Sequence, residues 1–428
     1  MFSVQPEQSG LAASVGDGGD RIWESFGVVG FNFRTVCLDT RGRLCFAEQG
    51  LRSTLRALRE QGIQEAVVLC TCNRTEIYFW SSDPGPVYAA ISEQSEVARE
   101  KLVALSYRRE GAEGVKHLFR VCSGMESAAL GETEILCQVK EAFSLSEDCR
   151  MAGSRLSSLF QRAMRVSKRV RTDSGICREV TSIAGMAVKR AGELTGRSVL
   201  VIGAGHMAER IAREIERKNP AEVVIVNRTP GRASTLAATF DFRSAPWEEL
   251  DSALNRSDVV FSAISAEFPV VDEVRLARLD IHKERLFVDL CVPASVESVP
   301  AEQFIDMDEI SRNCDLNSQS RMDALPAAEA IVEQEWDQFE QEILEREAAP
   351  HIKKLAEYAE EVRSRNLAWA RSQMKDPSPA ELKLLEDLSI RLVRGMLEGP
   401  INVLKKELRD PVERAVVARL FDAQRNPS

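Results

Sequence analysis

The chain has 428 residues, 44% apolar and 29% charged, with a formal net charge of −10 at pH 7. That length exceeds one ordinary core and implies two or three globular domains, while the acidic balance argues against a general nucleic-acid binder and leaves room only for a local basic patch. Ten cysteines without a CxxC pair and only four histidines give no zinc-like cluster and predict reduced thiols in a cytosol.

Residues 1–20 carry no Lys or Arg and no apolar run, so they read as a disordered tail rather than a signal or transit peptide. No later segment approaches the ~18 uninterrupted apolar residues of a membrane span, and a cytoplasmic protein is expected. From residue 21 to about 148, short strands (FGVVGFNF, AVVLCTC, TEIYFW) mix with helical stretches (GLRSTLRALREQG and one near 86–105), which predicts an α+β domain.

Within that domain AVVLCTCNRTEIYFW, residues 66–80, raises the first chemical question. If 66–72 is extended, Cys70 and Cys72 point the same way, ~6.6 Å apart. Cys72 then stands at a strand end, beside the turn former Asn73 and the cation Arg74, where a thiolate can be stabilised and reached. A small buried hydrophobe is the plain reading of any single cysteine here, and Cys70 is read so. The segment RLSSLFQRAMRVSKRVRT, 155–172, is an amphipathic helix whose basic face is either a solvated surface or a contact for a phosphate backbone.

From 185 to 310 the order becomes strand, glycine turn, helix, strand, the alternation of a doubly wound parallel sheet. SVLVIGAGHMAERIAREI, 198–215, sets Gly203, Gly205 and Ala208 in G-x-G-x-x-A order, with Ala204, His206 and Met207 completing the turn into a helix. Such a turn brings backbone amides and a helix N-terminus to a pyrophosphate. The next strand ends at Asn227, Arg228 and Thr229, where an NAD enzyme has a carboxylate for the ribose hydroxyl. An arginine there favours a 2′-phosphate, hence NADPH over NADH; another nucleotide, or lost binding, is the alternative.

From 313 onward nearly everything reads as helix. Ile331, Val332, Trp336, Phe339 and Ile343 form an apolar seam that Pro350 should interrupt, and further helices follow, one bounded by Ser378 and Pro379 and one that should end at Gly399-Pro400. Dimerisation is the expected use.

TCNRTEIY, 71–78, and HLFRVCSGMESAALGETEILCQVK, 117–140, resemble the two signature segments of glutamyl-tRNA reductases, and VRTDSGI (170–176), GAGHMA (203–208), NRT (227–229), VDLCVP (288–293) and DMDEI (306–310) match in order. The resemblance implies a multidomain α/β chain: after the 1–20 tail, an α+β, ferredoxin-like catalytic domain over 21–175, a Rossmann NADPH-binding domain over 176–312, and a long helix with an all-α dimerisation domain over 313–428. It implies NADPH-dependent reduction of glutamyl-tRNA to glutamate-1-semialdehyde through a cysteine thioester, in tetrapyrrole biosynthesis, with no metal.

The family's nucleophile falls on Cys72, its substrate contacts on Thr71, Asn73, Arg74, Ser127, Glu132, Thr133, Glu134 and Gln138, and a histidine important for activity on His117. Arg74 suits a forked ion pair with the substrate's carboxylate, and His117 could polarise the carbonyl or move a proton; a core histidine capping a helix is its plain reading. The family also implies a homodimer, catalytic and cofactor domains well separated, and glutamate-1-semialdehyde aminomutase as partner.

The chain departs from the family at Phe33, Thr133, Glu134, Cys137, Ala294 and 263–265. Glu134 matters most, because a carboxylate stands where a substrate already carrying one must bind. Two other readings follow: a catalytically weakened paralogue that binds tRNA or a pathway partner, and a thiol-dependent NADPH oxidoreductase acting on another thioester or aldehyde.

Overall fold

The computed structural model describes residues 23–177, 182–264, 268–280, 282–297, 299–300, 303–316 and 319–406. The expected tail at 1–20 lies outside the described residues. Contacts divide the chain into two compact units, one over Phe26–Glu335 and one in which the described residues before 26 join those from 336.

The larger unit begins with β1 (Phe26–Asn32), α1 (Leu38–Leu44), α2 (Glu48–Glu60), β2 (Ala66–Cys70), β3 (Arg74–Trp80), α3 (Gly85–Ser95), α4 (Arg99–Leu105) and β4 (Tyr107–Glu110). The four strands pair antiparallel in the order β2-β3-β1-β4, the ferredoxin-like arrangement. Every residue of β1 is buried, so its FGVVGFN run is apolar throughout instead of alternating. The single helix expected near 86–105 is two, because Glu96 adopts a left-handed conformation (φ 56°) that stops α3.

Three helices follow: α5 (Gly111–Cys122), α6 (Glu134–Asp148) and α7 (Ser154–Asp173). Leu156, Leu159, Phe160, Ala163, Val166 and Val170 recur at helical spacing on α7 and are buried.

The same unit continues with α8 (Ile183–Arg190), β5 (Ser198–Ile202), α9 (His206–Glu216), β6 (Glu222–Val226), α10 (Pro230–Thr239), β7 (Arg243–Ala245), α11 (Leu250–Arg256), β8 (Val259–Ser262), α12 (Glu273–Leu276), β9 (Leu286–Asp289), β10 (Phe304–Asp306) and α13 (Met307–Leu316). Its sheet is parallel in the order β10-β9-β8-β5-β6-β7, a Rossmann topology whose order reverses between β5 and β8. Ligands of such sheets bind at that reversal, outside the carboxyl ends of the strands. Val199, Val201, Ile225 and Phe261 pack on one face, and Leu200, Ile202, Val224 and Val260 on the other.

Two long helices complete the chain, α14 (Gln319–Gln373) and α15 (Pro379–Lys406). Both expected breaks are absent: α14 passes through Pro350 and α15 through Pro400. Pro350 is exposed, so water can take the carbonyl that its missing N–H leaves unpaired. In the smaller unit Trp23 packs edge-on against Trp336 at 5.8 Å between ring centroids and against Phe339 at 5.4 Å. Ser378 and Glu381 bond reciprocally as a capping box at the start of α15. Leu384, Leu388, Leu392 and Met396, four residues apart, leave an exposed apolar stripe on α15. No helix among the described residues is long and apolar enough to cross a membrane.

Candidate active site

β2 stops at Cys70 and β3 starts at Arg74, so residues 71–73 form the connecting turn. Thr71 locks it: its N–H donates to the Arg74 carbonyl at 2.8 Å, and its Oγ1 accepts from the N–H groups of Asn73 (3.2 Å) and Arg74 (3.1 Å). The turn corrects the expectation of two thiols on one face. Cys70 faces the catalytic core, where its sulfur accepts from the Phe46 N–H at 3.2 Å, whereas Cys72 packs against the core cluster of the Rossmann half.

Cys72 lies in a narrow cavity of ≈ 20 Å³ with Thr71, Asn73, Arg74, Ser127, Glu132, Glu134 and Gln138, and with Ile183 and Met207 from the Rossmann half. That volume is about one water. Thr133 does not line it; its carbonyl accepts from Arg171 at 3.2 Å. Burial, then the charges of Glu132 and Glu134, push the Cys72 thiol up to about 12 against the pull of Arg41. Burial and Glu134 likewise raise Glu132 to about 7, with Arg210 and Arg74 opposing. Glu134 itself meets Arg210 of α9 at 2.8 Å, an ion pair between the two halves that lacks hydrogen-bond alignment.

Arg74 is held from behind. Its Nη1–H donates to Glu76 Oε1 at 2.7 Å and its Nη2–H to the Glu126 carbonyl. Glu76 also accepts from the Tyr78 and Tyr107 hydroxyls and meets His117 Nε2 at 3.2 Å. Burial works against this carboxylate's charge, but Arg74 and His117 hold it well below its ordinary range. His117 therefore reaches the cavity only through Glu76 and Arg74. Glu76 was missed from the sequence, although a carboxylate inside the apolar strand RTEIYFW was the signal that could have found it.

In the cofactor loop Gly203 has φ +122°, and a Cβ there would stand 2.2 Å from the Ala263 carbonyl oxygen. Gly205 leaves open space, Ala208 is buried between helix and strand, and His206 and Met207 open α9. Ala204 packs against the same core cluster as Cys72. Asn227 Nδ2–H donates to the Thr229 carbonyl at 3.1 Å, and Arg228 lies 5.6 Å over the Trp247 ring. Arg228 also lines a cleft of ≈ 900 Å³ that continues past Pro293 to Arg43, Gln49 and Gln94 of the catalytic half. A bare amide turn, a helix N-terminus and a cation at the next strand end fit a dinucleotide phosphate. The two halves meet at the cysteine, contrary to the separated domains that the resemblance implies.

The basic helix divides. Arg162 (2.9 Å) and Arg169 (2.7 Å) pair with Glu335, Arg155 lies 4.9 Å over the Trp80 ring, and Arg165 and Lys168 are exposed.

Three family models match the chain: glutamyl-tRNA reductase N-terminal domain over residues 29–174, shikimate/quinate 5-dehydrogenase over 185–312, and glutamyl-tRNA reductase dimerisation domain over 327–423. The chain is 35% identical to the glutamyl-tRNA reductase of Rubrobacter xylanophilus over 94% of its own length and 97% of that protein's. Against the enzyme of Xanthomonas campestris it is 35% identical over 88% and 89% of the two chains. A solved structure, glutamyl-tRNA reductase from Methanopyrus kandleri, aligns at 27% identity and TM-score 0.48, covering 94% of this chain and 100% of that one.

Proposed function

The chain belongs to the glutamyl-tRNA reductase family, and from that premise we propose how its own residues carry the reaction. It is a nicotinamide-dependent oxidoreductase that reduces glutamyl-tRNA to glutamate-1-semialdehyde. In our reading the Cys72 thiolate attacks the ester carbonyl; the S–C bond forms as the C–O bond to the tRNA breaks, and the tRNA hydroxyl leaves with a proton. Glu132, raised to about 7, is suited to hold that proton near neutral pH. Bound NADPH supplies the hydride that the thioester carbonyl, more electrophilic than the ester, accepts. The C–S bond then breaks, releasing the aldehyde and restoring Cys72.

Thr71, Asn73, Arg74, Ser127, Glu132, Glu134 and Gln138 are proposed to hold the glutamyl group, while Thr133, expected among them, stands outside the cavity with its carbonyl on Arg171. Arg74 carries five N–H donors, and the Glu76 and Glu126 bonds occupy two of them among the described residues, so an edge remains for the substrate's carboxylate. His117 acts through Glu76 by orienting Arg74. The observation that carries the reading is the sharing of one cavity by Cys72, Arg74, both carboxylates and Met207 of the cofactor loop. Arg210 beside Glu134 offsets the like charge that favoured a weakened paralogue.

Gly203 to Ala208 with Asn227, Arg228 and Thr229 are proposed to bind NADPH specifically. Domain limits at 175/176 and 312/313, a cytoplasmic setting in keeping with nine free thiols among the described residues, a homodimer, and glutamate-1-semialdehyde aminomutase as recipient of the reactive aldehyde complete the proposal. Purified chain with glutamyl-tRNA and NADPH should yield the aldehyde, and Cys72→Ser should abolish it with the circular dichroism spectrum unchanged. Turnover retained in Cys72→Ser would sink the thioester route.

A further inference from the structure

Arg41 is fully buried on α1, and none of the roles above uses it. Its Nε–H donates to the carbonyl oxygen of Cys72 at 2.8 Å, and its Nη2–H donates to Asp308 Oδ1 at 2.5 Å. Cys72 belongs to the catalytic half and Asp308 to α13 of the Rossmann half, so one guanidinium spans both. The next residue shows how close the two halves come: a Cβ on Gly42 would stand 2.9 Å from Pro293 Cβ. Only glycine lets α1 lie against the Rossmann half at that point.

We propose that Arg41 is a positioning residue that makes the reactivity of Cys72 depend on whether the two halves are together. The inference rests on reading Cys72 as the nucleophile. With the halves together, Asp308 takes up the charge of Arg41 and the sulfur faces a cavity of ≈ 20 Å³, too small for a glutamyl ester. The ester must therefore enter with the halves apart. Asp308 then withdraws, while Arg41, tethered to the Cys72 carbonyl within its own half, keeps its positive charge beside the sulfur and favours the thiolate.

The titratable and charged groups around the sulfur are Glu132 and Glu134, before and at the start of α6, Arg41 from α1, Arg74 at the start of β3, which shares the cavity, and the thiol of Cys45 just after α1. Arg210 of α9 acts through Glu134. Its withdrawal leaves Glu134 uncompensated, but burial is the largest of the effects holding the thiol up, and opening relieves it. Renewed water and the freed Arg41 charge act in the same direction. Closure reverses both, so the nucleophile is primed when substrate can enter and quiet when it cannot.

The test reads the sulfur rather than turnover. Full-length protein is alkylated with iodoacetamide across a pH series, and the peptide carrying Cys72 is quantified by mass spectrometry in wild type, Asp308→Asn, Arg41→Gln and the double variant. Asp308→Asn should move the midpoint of the Cys72 profile down by about one unit, a ~tenfold faster reaction at pH 7. Arg41→Gln should move it up, and the double variant should lose the downshift. A midpoint unmoved in Asp308→Asn overturns the proposal, as does a downshift that persists without Arg41. Should Arg41→Gln fail to fold, Asp308→Asn decides alone by whether the midpoint falls. Failure of the nucleophile reading shows separately, as turnover in Cys72→Ser with these profiles unaffected.

Discussion

Glu132 and Glu134 share a cavity yet meet different fates, since Glu134 has Arg210 at 2.8 Å while burial and Glu134 together raise Glu132 to about 7. A folded-state pKa above the ordinary 4.5 means the folded chain binds the extra proton between those values. Stability from this group is then fully present below pH 4.5 and is lost as pH rises through about 7. The gap corresponds to at most ~3 kcal/mol. Glu132→Gln should therefore melt higher than wild type at pH 7 and show no such advantage at pH 4.5; melting curves that run parallel over that range would refute the assignment. At the nucleotide, Arg228→Asp should exchange a preference for NADPH for one for NADH, read from the two Michaelis constants; an unaltered ratio removes Arg228 from the 2′-phosphate. Asn73 was legible as a turn former beside Cys72 because the turn's hydrogen bonds span two or three residues, although the strand stops at Cys70 and not at Cys72. Arg41 was not, since its partners lie 31 and 267 residues away.

At the scale of elements, periodicity located the strands and helices, and the misreadings came from punctuation. Pro350 and Pro400 read as stops because proline removes one helical hydrogen bond, but a long helix keeps its remaining bonds and runs on. The β5–α9 turn was legible for the opposite reason, because Gly203 is required on two counts, its positive φ and the Ala263 carbonyl beside it. Gly203→Ala should abolish measurable NADPH binding by titration calorimetry and lower the melting temperature; wild-type affinity in that variant would mean the loop does not hold the phosphates. On α7, Arg162 and Arg169 are committed to Glu335, and the exposed Arg165 and Lys168 are the pair we propose for contact with a phosphate backbone. Arg165→Glu with Lys168→Glu should weaken tRNA binding by ~tenfold or more and flatten its salt dependence by about two counterions. Binding and salt slope both unchanged would assign that face to solvent.

For the molecule as a whole, length implied two or three domains but not their contact, because the ties between the halves, Glu134 to Arg210 and Arg41 to Asp308, join segments with no shared periodicity. The exposed stripe Leu384, Leu388, Leu392 and Met396 falls within the matched dimerisation domain and is the apolar surface a partner chain would cover. Leu388→Glu with Leu392→Glu should convert a dimer to a monomer by light scattering, with helix content kept; a dimer of undiminished mass would direct attention to another face. The packing of Trp23 on Trp336 and Phe339 bears on how the chain is made. The ribosome releases Trp23 about 310 residues before those partners, which at ~5–20 residues per second is a wait of ~15 to 60 s. Throughout that interval a tryptophan buried in the finished protein must wait, just ahead of β1 in sequence, for the rings that will cover it.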